Sequence, residues 1–226
     1  MKDGKLIVIE GACDGIGKST QYAMLYDRLK REGYEDIIRH HFPSYGTYQS
    51  VPVEKYLSGE YGGRIEGITP YFVNCLYALD RGVTWHTSLK RYYEQGKIIL
   101  LDRYTTSSII YQSAEFDEIE ERKRFIDYVV DFEYNKLQIA RPDNVIFLYA
   151  PYDLITKILM ARVGNDGIQN DVFERDLDHM KKIYENSMFV ADYLSWDMIC
   201  CNNGDEMRKR EDLHEEIYSI IRKRIK

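Results

Sequence analysis

The sequence lacks the features that mark several broad protein classes. No apolar run approaches the length needed to cross a bilayer, and Met1-Lys2-Asp3-Gly4-Lys5 leads straight into a strand-like run without the apolar core of a secretion signal. A cytoplasmic protein with no membrane partner is the expectation. The four cysteines, Cys13, Cys75, Cys200 and Cys201, include no C-x-x-C pair, and the five histidines have no ligand spacing near them. Neither a disulfide framework nor a structural zinc site is expected, and the thiols read as reduced. Positive charge is in deficit: 31 Lys and Arg stand against 37 Asp and Glu, a net charge of −6. That argues against a nucleic-acid partner with a large phosphate footprint, while a local basic pocket stays possible. There is no repeat, low-complexity tract or linker. Residues 1–226 therefore read as a single domain with ample length for a core, carrying a small lid at about 162–171.

What is present organises around one stretch, Leu6-Ile7-Val8-Ile9-Glu10-Gly11-Ala12-Cys13-Asp14-Gly15-Ile16-Gly17-Lys18-Ser19-Thr20-Gln21. A short apolar run passes into a glycine-bearing turn, and the turn into helical spacing at Tyr22, Leu25, Tyr26 and Leu29. Strand, phosphate loop and helix follow in that order. Such a loop turns successive backbone N–H groups toward one point at a helix start, where polyphosphate binds. The residues from Gly11 to Thr20, with Ala12, Cys13, Asp14, Gly15, Ile16 and Gly17 among them, are thus candidate ligands of a nucleoside triphosphate. Lys18 would reach the β and γ phosphates, and the Ser19 hydroxyl would ligate Mg2+. The usual spacing puts its first glycine at Ala12. Either Ala12 takes that place, or the loop is one residue longer and keeps Gly11 as the turn residue; the second is favoured because alanine tolerates positive φ poorly.

Further strands are expected at 36–42, 97–102, 144–149 and 198–201, separated by helices at about 51–57, 68–95, 106–114, 118–139, 151–162 and 171–194, with a last helix carrying Leu213, Ile217 and Ile221. Strands alternating with helices predict an α/β fold: a five-stranded parallel sheet with helices on both faces. The C-terminal ends of such strands are where ligands bind. Phe42-Pro43-Ser44-Tyr45-Gly46 and Asp102-Arg103-Tyr104 both fall there. Arg103 is placed to grip an acceptor phosphate through paired N–H donors, Asp102 to hold Mg2+, and Arg162, entering the lid, to swing onto the nucleotide phosphates. Tyr77 and Arg81 are four apart and share one helical face.

Several segments taken together resemble the thymidylate kinase family: Glu10-Gly11 with Asp14-Gly15-Ile16-Gly17-Lys18-Ser19-Thr20-Gln21, Phe42-Pro43-Ser44-Tyr45-Gly46, Tyr56-Leu57-Ser58-Gly59-Glu60-Tyr61-Gly62, Tyr77-Ala78-Leu79-Asp80-Arg81, Asp102-Arg103-Tyr104-Thr105-Thr106-Ser107-Ser108 with Tyr111-Gln112, and Asp171-Val172-Phe173-Glu174-Arg175-Asp176. They occur in the family's order over nearly the whole chain. The resemblance implies a P-loop kinase fold, a homodimer, and transfer of the ATP γ-phosphate to thymidine monophosphate (dTMP). It makes Tyr77 the ring stacked on thymine and Arg81 the donor to a thymine carbonyl. Phe42 and Tyr45 would wall the acceptor pocket, Ser108 would be a polar base contact, and Tyr111 would lie beneath the sugar. Asp14 would contact the 3′-hydroxyl or the metal shell, and Glu174 would support Mg2+ through water.

There are departures from that pattern. Ser44 stands where many relatives have arginine, and no basic residue occurs between Arg162 and Arg175. Two other readings stay open. One is a kinase for another deoxynucleotide or for a deoxynucleoside, whose hydroxyl would need a base such as Glu10. The other is a nucleotide-binding regulator without catalysis.

Overall fold

The computed structural model describes residues 4–61, 68–166 and 177–225, with the side chains of 161–166 excepted. In chain order the elements are β1 (Lys5–Gly11), α1 (Lys18–Arg31), β2 (Ile37–His41), α2 (Val51–Leu57), α3 (Pro70–Thr84), a π-helical segment (Trp85–Leu89), α4 (Lys90–Glu94), β3 (Ile98–Asp102), α5 (Thr105–Ser113) and α6 (Ile119–Val130). A second π-helical segment (Asp131–Lys136) follows, then β4 (Asn144–Tyr149), α7 (Tyr152–Asp166), α8 (Leu177–Tyr193), β5 (Asp197–Cys200), β6 (Asn202–Asn203), β7 (Glu206–Met207) and α9 (Arg210–Ile225). The large sheet has the order β2-β3-β1-β4-β5 and is parallel, as predicted, with helices flanking it. No helix of the described residues is long and apolar enough to cross a membrane.

The chain comprises two compact units, residues 1–8 with 34–143, and residues 9–33 with 144–226. In the first, β2 pairs with β3 from Ile37 against Ile98 to His41 against Asp102. Every residue of β3 is buried, which explains its unbroken apolar run. Helix α3 begins at Pro70 behind Thr69, whose hydroxyl accepts the Phe72 amide at 3.2 Å; proline at the first turn gives up an N–H that has no helical partner anyway. In the second unit β4 pairs with β5, Ile146 against Asp197 to Tyr149 against Cys200. Helix α9 packs Leu213, Ile217 and Ile221 inward.

Some boundaries depart from the sequence reading. The segment predicted as one helix over 68–95 is α3 and α4 joined by a π-turn, and that predicted over 118–139 is α6 followed by the second π-turn. Helix α7, predicted to stop at Arg162, runs through Gly164 to Asp166. The rest of the proposed lid, from 167 to 171, and Glu174 lie outside the described residues. The small β6–β7 hairpin was not anticipated.

Candidate functional site

The phosphate loop belongs to the second unit. At its base the Gly11 amide donates to Glu10 Oε1 at 3.1 Å and the Ala12 amide to the Leu148 carbonyl at 2.9 Å. Both N–H groups are committed within the protein, so the stretch that can turn amides toward an anion lies beyond Ala12. The expectation that Gly11 is the turn residue is not met. It is the last residue of β1, and the left-handed positions are Gly15 (φ 81°) and Gly17 (φ 98°). What requires glycine at 11 is space, since a Cβ there would lie 2.7 Å from Ile16 Cγ2. Ile16 is buried beneath the loop, and the Ser187 hydroxyl donates to the Ala12 carbonyl at 3.5 Å.

Gly17 caps α1 without a side-chain hydrogen bond, and no acidic residue occupies the first turn. The first helical bond runs from the Gln21 amide to the Gly17 carbonyl at 3.0 Å, so the preceding amides have no partner within the helix. Positive potential from the helix start adds to that of Lys18. Lys18 is half-buried, whereas Asp14, Ser19 and Thr20 are exposed. Cys13 is a poor nucleophile here: burial, then the charge of Asp14, pushes its thiol up to about 12.

The acceptor residues belong to the first unit. Tyr77 and Arg81 lie on one face of α3, and their surroundings differ. Arg81 is only 2 % exposed, and its guanidinium is held from several sides. Nε donates to Glu133 Oε2 at 2.6 Å and Nη2 to Glu133 Oε1 at 2.6 Å; Nη2 also donates to Ser108 Oγ at 2.8 Å and reaches Asn74 Oδ1 at 3.5 Å, and Nη1 donates to the Tyr104 carbonyl at 3.4 Å. Burial disfavours its charge, but Glu133 outweighs that and holds the guanidinium above its ordinary value. Tyr77 meets Tyr56 edge-on at 6.5 Å, and burial, with Tyr56 and Tyr45 nearby, pushes its phenol up, so the ring presents a neutral hydroxyl.

Arg103, the residue after β3, has φ 64°, the left-handed region that a side-chain-bearing residue seldom adopts. Its Nη1 donates to the Tyr111 hydroxyl at 3.3 Å, with the guanidinium carbon 5.5 Å from the centre of that ring. Asp102 is mostly buried with Oδ2 3.2 Å from His41 Nδ1. Phe42 is buried, packed between His40 (4.6 Å) and Tyr104 (5.7 Å). Tyr45 is exposed and stacks on His41 at 6.1 Å. The Phe42–Gly46 loop is tied to α3, because the Ser44 amide donates to Asp80 Oδ2 at 2.7 Å and the Ser44 hydroxyl lies 2.8 Å from His40 Nε2 and 3.2 Å from Thr84 Oγ1. Serine thus takes an inward, structural position. Arg162 falls in α7, where only the backbone is described.

The described residues include no group of three or more His, Cys, Asp or Glu side chains that could hold a metal ion. An exposed Ser19 at the phosphate loop fits instead a cation that arrives with the nucleotide, since Mg2+ is commonly bound by substrate phosphates and one or two protein oxygens. Sequence reasoning missed Glu133, Asn74, Asp80 and His41. Glu133 had a signal: it follows Phe125, Ile126 and Val129 at helical spacing, an acid placed on an apolar stripe.

A family model for thymidylate kinase matches residues 9–217. A probable thymidylate kinase of Thermococcus onnurineus is 31% identical over 217 residues, spanning 95% of this chain and 96% of the relative. The thymidylate kinase of Halothermothrix orenii is 31% identical over 221 residues, 97% of each chain. The thymidylate kinase structure from Candida albicans superimposes with a TM-score of 0.72 at 20% identity, covering 99% of this chain and 94% of that one, which bears on the fold alone. On the extent of the family match and of these relatives, the chain belongs to the thymidylate kinase family.

Proposed function

We propose that this protein transfers the γ-phosphoryl group of ATP to dTMP, giving the diphosphate and ADP. The observation that carries the reading beyond family membership is Arg81. A buried guanidinium, anchored on Glu133 and adjoining Ser108, one helical turn from Tyr77, is suited to read a keto oxygen on a stacked pyrimidine. The amides and left-handed glycines from Cys13 to Gly17, with Lys18, hold the donor phosphates. Arg103, steadied by Tyr111, clasps the acceptor phosphate, and Tyr45 lines its approach. Asp14 contacts the acceptor 3′-hydroxyl or the metal shell.

Ser19, Asp102 and Glu174 are the residues that would hold Mg2+, which would supply charge neutralisation to the transferring group. Arg162 serves as a second cation for the transferring group. No general base is needed, because the acceptor phosphate is already largely dianionic at neutral pH and attacks once positioned. A deoxynucleoside acceptor would need such a base; Glu10 is fully buried and already accepts the Gly11 amide, which disfavours that alternative. An exposed stripe on α3, Phe72, Cys75 and Leu79, supports a homodimer, and a cytoplasmic setting accords with four free thiols.

A coupled ADP-release assay across nucleosides and monophosphates tests the reading. It expects dTMP as the preferred acceptor, with Arg103→Ala losing turnover while ATP still binds. Preference for a bare nucleoside, or no turnover of any acceptor despite tight ATP binding, would overturn it.

A further inference from the structure

One buried carboxylate has no part in the phosphoryl transfer above. Glu133 is 0 % exposed, and both of its oxygens are spent on Arg81, forming a two-pronged pair through Nε and Nη2. A guanidinium is planar. Fixing two of its nitrogens fixes the plane, and with it the direction of every remaining N–H. Of the five hydrogens, Nε gives one to Glu133. Nη2 gives one to Glu133 and one to the Ser108 and Asn74 oxygens, and Nη1 gives one to the Tyr104 carbonyl. One Nη1 hydrogen has no acceptor among the described residues. Ser108 accepts from Arg81, so its own hydroxyl hydrogen is left to donate. The site therefore offers donors, which suit a pyrimidine carrying a 4-oxo acceptor and leave a 4-amino donor unmatched.

The segment that carries Glu133 is itself anchored. It is the π-turn Asp131–Lys136, in which Tyr134 hydroxyl bonds to Thr105 Oγ1 at the start of α5, and the Leu137 amide returns to the Phe132 carbonyl at 2.8 Å. Just beyond it the Leu137 carbonyl lies 2.7 Å from His86 Nε2. Turns of this type insert one residue into a helix and are frequent at functional sites.

We propose that Glu133 is a positioning residue for base selection, locking the Arg81 guanidinium in the orientation that reads a 4-oxo oxygen and rejects a 4-amino group. The assignment rests on the dTMP reading above. The experiment compares Glu133→Gln and Glu133→Asp with the wild type, using the monophosphates of thymidine, deoxyuridine and deoxycytidine at saturating ATP, then varying ATP at fixed thymidine monophosphate, with thermal melts alongside. In Glu133→Gln, kcat/KM for the two 4-oxo substrates falls about a hundredfold, mostly through KM. Their preference over the 4-amino substrate falls about tenfold, and KM for ATP holds. Glu133→Asp, which keeps the charge, lies between the two. Equal losses on all three substrates, a lowered melting temperature with unchanged kinetics, or failure of both variants to fold would each make Glu133 a purely structural partner and overturn the assignment. A wild type that does not turn over dTMP fails the functional reading instead, before any variant is compared.

Discussion

Replacing Gly11 with alanine isolates what the end of β1 demands. The backbone there is not left-handed, so the added methyl meets a contact problem. Its carbon would sit 2.7 Å from Ile16 Cγ2, with the Cys13 and Leu148 carbonyl oxygens at 3.5 and 3.7 Å. Ile16 is buried and branched at Cβ, so Cγ2 cannot swing away without carrying the rest of the side chain into its neighbours. Overpacking of this kind costs about 1–3 kcal/mol. At this chain length each kcal/mol corresponds to about 2–4 °C, so the melt should fall by about 2–12 °C. The shifted Ile16 should also disturb the phosphate loop and raise KM for ATP. Ile16→Ala alone leaves a cavity costing about 2–5 kcal/mol. In the double variant the new methyl enters the vacated space, so the loss should be smaller than the sum by about 0.5–3 kcal/mol. Additive losses, or a Gly11→Ala protein that melts and binds ATP like the wild type, would refute the contact argument.

Arg103 at φ 64° implies that Arg103→Gly is more stable than Arg103→Ala by about 1 kcal/mol, although both lose acceptor turnover. Equal stability in urea melts would remove the backbone-strain account. His214 is buried with neither ring nitrogen hydrogen-bonded among the described residues, and burial, then Arg28, lowers its pKa from 6.5; burial also lowers that of His40. Both bind a proton more weakly folded than unfolded, so their stabilising effect is complete above about pH 6.5 and is lost as pH falls below it. His214→Leu should flatten the decline in urea midpoint between pH 7 and 5, and an unaltered decline would clear His214 of that role. Burial pushes the thiols of Cys13 and Cys201 up to about 12, while Cys75 is exposed. Iodoacetamide at pH 8 should leave Cys13 and Cys201 unlabelled in the native protein and label them on unfolding, read by peptide mass spectrometry; early labelling of native Cys13 would contradict its sealed position.

Much of this architecture is legible because burial on both faces leaves an unbroken apolar signature: Leu6–Ile9 and Ile98–Leu101 could hardly be anything but interior strands. The same logic put Arg103 after a strand end and Tyr77 with Arg81 on one helical face. What was hidden depends on hydrogen bonds between distant residues. Nothing local announces that the Gly11 amide turns to Glu10, that Ser44 faces inward to Asp80, His40 and Thr84, or that Glu133 closes on an arginine 52 positions earlier. The π-turns leave the apolar pattern readable as plain helix, because they alter only the backbone ladder. Gly164 invites a helix stop by propensity, yet α7 continues past it to Asp166. The β6–β7 hairpin is two residues a side and polar, too short for alternation to register.

The surplus residue in Asp131–Lys136 makes base choice sensitive to chain length as well as to side chain. A descendant one residue shorter there could close into ordinary α-helix without a gap, but the residues of the turn itself would be redistributed around the helix axis relative to α6. The carboxylate would then leave the arginine although no acid had been mutated, and a single codon deletion would separate a thymine reader from a looser one.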